Sequence, residues 1–262
     1  MDDDIILKNA DELALMRESG RLLASVFAYL DTKIKAGMST MEVNDLVEHY
    51  IVHDLKSRPA SKGQYGFEYV LNSSVNHVVC HGVPSKKQLL ADGDIVNIDI
   101  TLEKGGFIAD SSKMYMIGEV SPLAKRLVDK TYEAMWEGIK AVKPGATLGD
   151  VGNAIQRYAE QHGYSIVREY CGHGIGREMH EEPQVVHYGQ RGRGEVLCEG
   201  MTFTIEPMIN QGKAKVKTKK DGWTVVTADK KLSAQWEHTI AVTAEGYEVL
   251  TLREEEREAL GL

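Results

Sequence analysis

The sequence predicts an α+β fold built from two similar halves, each placing helices ahead of antiparallel strands. Three observations carry this. Amphipathic stretches open on helix-start signals. Two of these stretches, with the strands behind them, recur about 108 residues apart. Strands and helices do not alternate regularly, as a doubly wound parallel sheet requires.

The elements follow in order. Asn9 stands three residues before Glu12, an N-cap with its reciprocal acid, and Met16, Leu23, Phe27 and Leu30 recur behind them at helical spacing. That predicts a helix over 10–30. A second opens at Ser39–Glu42 ("STME"), with Val43, Leu46, Val47, Tyr50 and Ile51 on one face. A third begins at Ser121-Pro122, proline being favoured in a first turn. A fourth opens at Thr147–Asp150 ("TLGD"), followed by Val151, Ile155 and Tyr158. Strands are expected within 66–83, 94–117, 165–171, 184–187, 199–209 and 223–250. The terminal "REEEREAL" reads as a solvated helix end.

The repeat is legible residue by residue. At an offset of 108, Lys35 meets Lys143, Gly37 meets Gly145, Ser39 meets Thr147, Val43 meets Val151 and Tyr50 meets Tyr158. At an offset of 107, "GDIVNID" meets "GMTFTIE", which sets Asp99 over Glu206. One domain over 1–262 is expected, its halves about 1–120 and 121–262; a long Pro/Gly/Ser linker is absent.

Bulk properties exclude several classes. The net charge of −8, with both signs mixed, argues against a dedicated nucleic-acid site. The acidic N-terminus is unlike a signal peptide, and no apolar run is long enough to span a membrane. Three cysteines (Cys80, Cys171, Cys198) at no metal-like spacing predict reduced thiols in a cytoplasmic protein.

The segment "GDIVNIDITLEKGGFIADSS" (93–112) predicts a β-hairpin with an acid in each arm. Val96, Ile98, Ile100 and Leu102 point one way; Asn97, Asp99 and Thr101 point the other. A hairpin closing around Lys104-Gly105 would set Asp99 directly across from Asp110. At about 4 Å and an effective dielectric near 20, two such charges repel by roughly 4 kcal/mol. Such a pair must keep a proton or hold a cation. Elsewhere "YCGHGIGREMHEEP" offers His173 and His180 among glycines expected to turn the chain. "FTIEP" and "SAQWEHTIAV" carry Glu206 and Glu237 beside apolar runs, and "VVCHGVP" carries His81 roughly where His173 stands in the second half. Four carboxylates with one or two imidazoles form a ligand set for two divalent cations such as Co, Mn, Fe or Zn, which can share and activate a water. HExxH, Gly-x-Ser-x-Gly and P-loop motifs are absent.

Taken together, "CHGVP", "GDIVNIDIT", "ADSSKMY", "GHGIG", "HEEP", "TIEP" and "EHTIAV" resemble type I methionine aminopeptidases of the bacterial kind, over nearly the whole chain. The resemblance implies the pita-bread fold: two pseudo-symmetric halves, a central antiparallel or mixed curved sheet, and helices on its outer face. It implies removal of the initiator methionine from nascent polypeptides, with a small second residue preferred, by attack of a metal-bridging hydroxide. It implies that Asp99 chelates one metal, that Asp110 and Glu237 bridge two, and that His173 and Glu206 ligate the other. Glu206 would also move a proton, His180 would contact the scissile carbonyl, and His81 would lie near the amide nitrogen. Family members often carry aromatics and cysteines before the first histidine and an aromatic before the second; here Gln64, Asn72 and Met179 stand in those segments. Phe67 and Trp223 are expected to line the methionine pocket with Met179.

Lys213, Lys215, Lys217 and Lys219 alternate along a predicted hairpin, either as a solvated edge or as a transient ribosome contact. His49, His53, His77, His162, His187 and His238 are assigned no chemical role. A proline-directed peptidase of the same fold usually carries an extra N-terminal domain, for which 262 residues leave little room. A monomer is expected.

Overall fold

The computed structural model describes residues 4–261; Met1–Asp3 and Leu262, the outer ends of the expected halves, lie outside the described residues. The start signals locate the helices. α1 spans Ala10–Asp31 behind a capping box of Asn9 and Glu12. α2 spans Thr40–His49 behind Ser39 and Glu42 and runs on into a π turn over Tyr50–Asp54. α3 spans Pro122–Lys140 behind Ser121, and α4 spans Leu148–Gln161 behind Thr147 and Asp150. Each box pairs first-turn N–H groups that have no intrahelical acceptor.

Strands Ile95–Lys104 and Phe107–Met116 form the expected hairpin, in a different register. Asp99 pairs with Ser112 and Asp110 with Thr101. The cause is the turn: Gly105 and Gly106 both take positive φ, 62° and 82°, so they form the two-residue loop and Lys104 closes the ladder with Phe107. The two acids therefore face each other diagonally, still on one face. The opposite face carries Val96, Ile98, Ile100 and Leu102 into a core with Leu23, Phe27 and Leu30 of α1 and Val43 and Val47 of α2.

The second half repeats the plan. Phe203 and Ile205 of strand Thr202–Ile205 pack with Met135 and Ile139 of α3 and Val151 and Ile155 of α4. Backbone contacts repeat with the sequence. Ser39 bridges Leu89 as Thr147 bridges Val196, and the Gly37 N–H donates to Leu90 as the Gly145 N–H donates to Leu197. Ile95 pairs with Met116 as Thr202 pairs with Ala241. Ser112 is thereby the counterpart of Glu237, and these two bridge each other, N–H to carbonyl at 3.3 Å both ways. A local two-fold axis passes between them, and the hairpins of the two halves join there. The same registers correct the equivalence of His81 and His173. Gly174 pairs with Phe203 as Val75 pairs with Val96, so the counterpart of His173 is Ser74.

Two further expectations change. The first two glycines of "GHGIG" do not make a turn: Gly172–Gly174 is a strand between Thr202–Ile205 and Glu181–Val185, and the chain bends only over 176–180. The C-terminal helix, α5 (Glu254–Leu260), is not wholly solvated. Arg253 and Glu256 are buried, and Glu256 accepts from Arg253 (2.6 Å) and Tyr132 (2.9 Å) and meets His238 Nε2 at 3.0 Å. Opposite charge and hydrogen bonds let that helix end enter the core. No helix among the described residues is long and apolar enough to cross a membrane.

Candidate metal centre

The centre lies where the two hairpins meet. Asp99 and Asp110 come from the first, Glu206 follows strand Thr202–Ile205, and Glu237 precedes strand His238–Val242. Asp110, His173 and Glu237 each offer a ligand atom within 4.8 Å of the others. His173 Nε2 lies 3.7 Å from Asp110 Oδ2 and 3.5 Å from Glu206 Oε1. Asp99 interacts with Asp110, and Glu206 with Glu237. Asp110 and Glu237 are thus the inner pair of a row of four carboxyls. His173 Nδ1 meets the Gly174 carbonyl at 2.9 Å, which holds the proton on Nδ1 and aims the Nε2 lone pair at the acids.

The electrostatics of this row are extreme. Burial raises the Asp99 carboxyl to about 7 and that of Glu206 to about 8. Asp110 and Glu237 rise well above the carboxylate range, through burial first and then through the charges of their neighbours. Burial also lowers His173 to about 3, leaving a neutral imidazole. Asp110 Oδ1 and both carboxyl oxygens of Glu237 are buried without a hydrogen-bond partner. Buried acceptors in that state are costly, and a bound cation would satisfy them. The donor set, oxygen-rich with one imidazole, fits hard or borderline cations.

A cleft of about 570 Å³ opens onto the row, and every predicted site residue lines it: His81, Asp99, Asp110, His173, Met179, His180, Glu206, Glu237, Phe67 and Trp223. His81 takes a left-handed backbone (φ 56°) and packs edge-on against Tyr170 at 5.3 Å. The backbone there is tightly held, since a β-carbon on Gly82 would stand 2.0 Å from the Ser73 carbonyl oxygen. The His180 ring lies 4.3 Å from that of His173, and its Nδ1 is 3.3 Å from the Tyr65 hydroxyl. Burial lowers the pKa of both His81 and His180. Phe67 meets Trp223 edge-on at 5.0 Å. Met179 also packs with Ile175 and Phe107, so it belongs partly to the core.

Several supporting residues escaped the sequence reading. Thr204 Oγ1 accepts from the His173 N–H (3.0 Å) and donates to Glu206 Oε1 (2.8 Å). Gln235 donates to Glu206 Oε2 at 3.2 Å. The Thr239 hydroxyl closes a two-way contact with the Asp110 backbone. His187 is fully buried, and its Nε2 accepts from the Glu206 N–H at 3.0 Å. Strand alternation could have flagged Thr204, which shares a face with Glu206; nothing local marks His187.

This arrangement, carboxylates and one imidazole on paired strands of two equivalent halves, defines a metal-dependent hydrolase. Residues 14–244 match the model of metallopeptidase family M24, and the chain belongs to that family. Within it the chain is similar to methionine aminopeptidases. It is 48% identical to the methionine aminopeptidase of Escherichia coli (strain K12) over 252 residues, 96% of each chain. The crystal structure of methionine aminopeptidase from Rickettsia prowazekii aligns with a TM-score of 0.93 at 47% identity, over 95% of this chain and 100% of that one. Prolidase from Pyrococcus furiosus aligns at 0.75 with 22% identity, over 95% of this chain and 66% of that one, and shares the pita-bread fold alone.

Proposed function

We propose that this protein removes the initiator methionine from nascent polypeptides, preferring a small second residue, with two divalent ions held by Asp99, Asp110, His173, Glu206 and Glu237. The observation that carries the reading is the row of buried, unpartnered carboxyl oxygens at the floor of a cleft walled by Phe67 and Trp223. When bound, the ions supply Lewis acidity and an activated water. Asp110 and Glu237, the inner pair, suit a bridging role; Asp99 and the pair of Glu206 with His173 suit the two ends. Glu206, fixed by Thr204 and Gln235, takes the proton of the attacking water and passes it to the leaving amine. A Tyr65 hydroxyl donating to His180 Nδ1 leaves the proton on Nε2, where it steadies the developing carbonyl oxyanion. His81 orients the scissile amide nitrogen. Co, Mn, Fe and Zn all suit the donor set. The protein acts as a cytoplasmic monomer over a single domain. Lys213, Lys215, Lys217 and Lys219, all exposed along or beside the strand that pairs with Val225–Thr227, offer a surface for transient ribosome contact.

Cleavage of Met-Ala-Ser and of an Ala-Pro peptide by metal-reconstituted protein tests this. Methionine is released from the first only, and a chelator abolishes the release. Activity that survives complete metal removal, or equal cleavage of the second peptide, overturns the reading.

A further inference from the structure

We propose that the cleft also accepts an oxidised methionine side chain, so that methionine sulfoxide is released from peptide N-termini. The proposal rests on the aminopeptidase reading above and deepens it. Gln64 and Asn72 both line the cleft and are half-buried. Neither carboxamide has a hydrogen-bond partner among the described residues. Asn72 pairs with Asp99 across neighbouring strands, so its side chain leaves the sheet on the face of the carboxyl row, roughly 5 Å away at the β-carbons. Phe67, Trp223 and Met208 supply apolar lining in the same cleft. The pocket therefore offers flat apolar surface for a run of methylenes and two amides able to donate hydrogen bonds.

A thioether accepts hydrogen bonds weakly. An intact methionine strips water from these amides and returns little. A sulfoxide has the same length and adds a strongly accepting oxygen, and the Nδ2 of Asn72 and Nε2 of Gln64 can donate to it. Oxidation of an N-terminal methionine gives the sulfoxide, a polar, chiral residue with two epimers. The chemical step is the same hydrolysis. Water delivers its hydroxyl to the carbonyl carbon and a proton to the leaving nitrogen as the C–N bond breaks. The S–O bond is untouched, so no reductant is needed.

The test uses metal-reconstituted protein with Met-Ala-Ser and with each sulfoxide epimer of Met(O)-Ala-Ser. Titration calorimetry with free methionine and methionine sulfoxide gives a second readout. For one epimer, kcat/KM lies within tenfold of that for methionine, and the free amino acids bind within tenfold of one another. In Asn72→Val/Gln64→Leu the ratio of sulfoxide to methionine kcat/KM falls at least tenfold. If the double variant does not fold, Gln64→Leu alone is held to a threefold fall. A larger deficit in the unaltered protein, or a smaller shift in the variant, overturns the proposal while leaving methionine release intact. Failure to release either residue sinks the aminopeptidase reading, and this inference with it.

Discussion

Lys8 is a cation with almost no water around it. Its Nζ pairs with Glu181, the two side chains being 2% and 5% exposed, and Glu181 also accepts from the backbone of Arg177 and Glu178. This ties the segment ahead of α1 to the residue following His180. Removing one partner of a buried pair strands the other charge, at a cost of about 3 kcal/mol. Lys8→Met should lose that much in urea unfolding, and Lys8→Met/Glu181→Leu should recover most of it. A single substitution costing under about 1 kcal/mol would mean that the backbone donors alone satisfy Glu181. At this scale the sequence revealed chemistry more readily than support. The metal-type acids stood out because carboxylates in apolar runs need a reason. Lys8 and His187 did not, because their partners lie far along the chain; Thr204, two residues from Glu206, was passed over as an ordinary strand residue.

The helices were legible because their signals are local: Asn9 with Glu12, Ser39 with Glu42 and Thr147 with Asp150 each lie within one turn. Strands depend on partners the sequence does not print, and the errors fell there. The acid hairpin was misregistered because either of two residue pairs in "EKGG" could close it; the positive φ of both glycines decides. Strand Gly172–Gly174 was taken for a turn because its glycines answer to crowding. A β-carbon on Gly174 would lie 2.1 Å from the Glu182 carbonyl oxygen, and one on Gly172 2.4 Å from that of Thr204. Gly37 is the contrast: its φ is 89° and nothing lies within 4 Å. Gly174→Ala should cost about 3 kcal/mol or more through forced separation of strands; Gly37→Ala should cost about 1 kcal/mol through backbone strain. Equal losses in thermal unfolding would show that the close approach carries no constraint.

Over the whole molecule, the carboxyl row sets a pH response. Asp99 (about 7) and Glu206 (about 8) titrate above their unfolded values when no cation is bound. Between about pH 6.5, above which the unfolded histidines are also neutral, and those values the folded chain holds protons that the unfolded chain has lost, so stability falls as pH rises through this window. Chelated protein should therefore have a lower urea midpoint at pH 8.5 than at pH 6.5. Metal-loaded protein, with its acids ionised against the cations, should lack that decline. A chelated protein equally stable at both values would refute the assignment. The two halves, visible as a sequence repeat, become architecture through the mutual bridge of Ser112 and Glu237. A residue beside a two-fold axis faces its own equivalent. In a dimer of identical half-length chains, that place would hold two serines or two glutamates, never one of each. The carboxylate proposed to bridge the metals is thus available to only one half, and covalent fusion is what permits the difference. Cutting this chain into two matching pieces and allowing either piece to self-associate could rebuild the scaffold's symmetry, but not its centre.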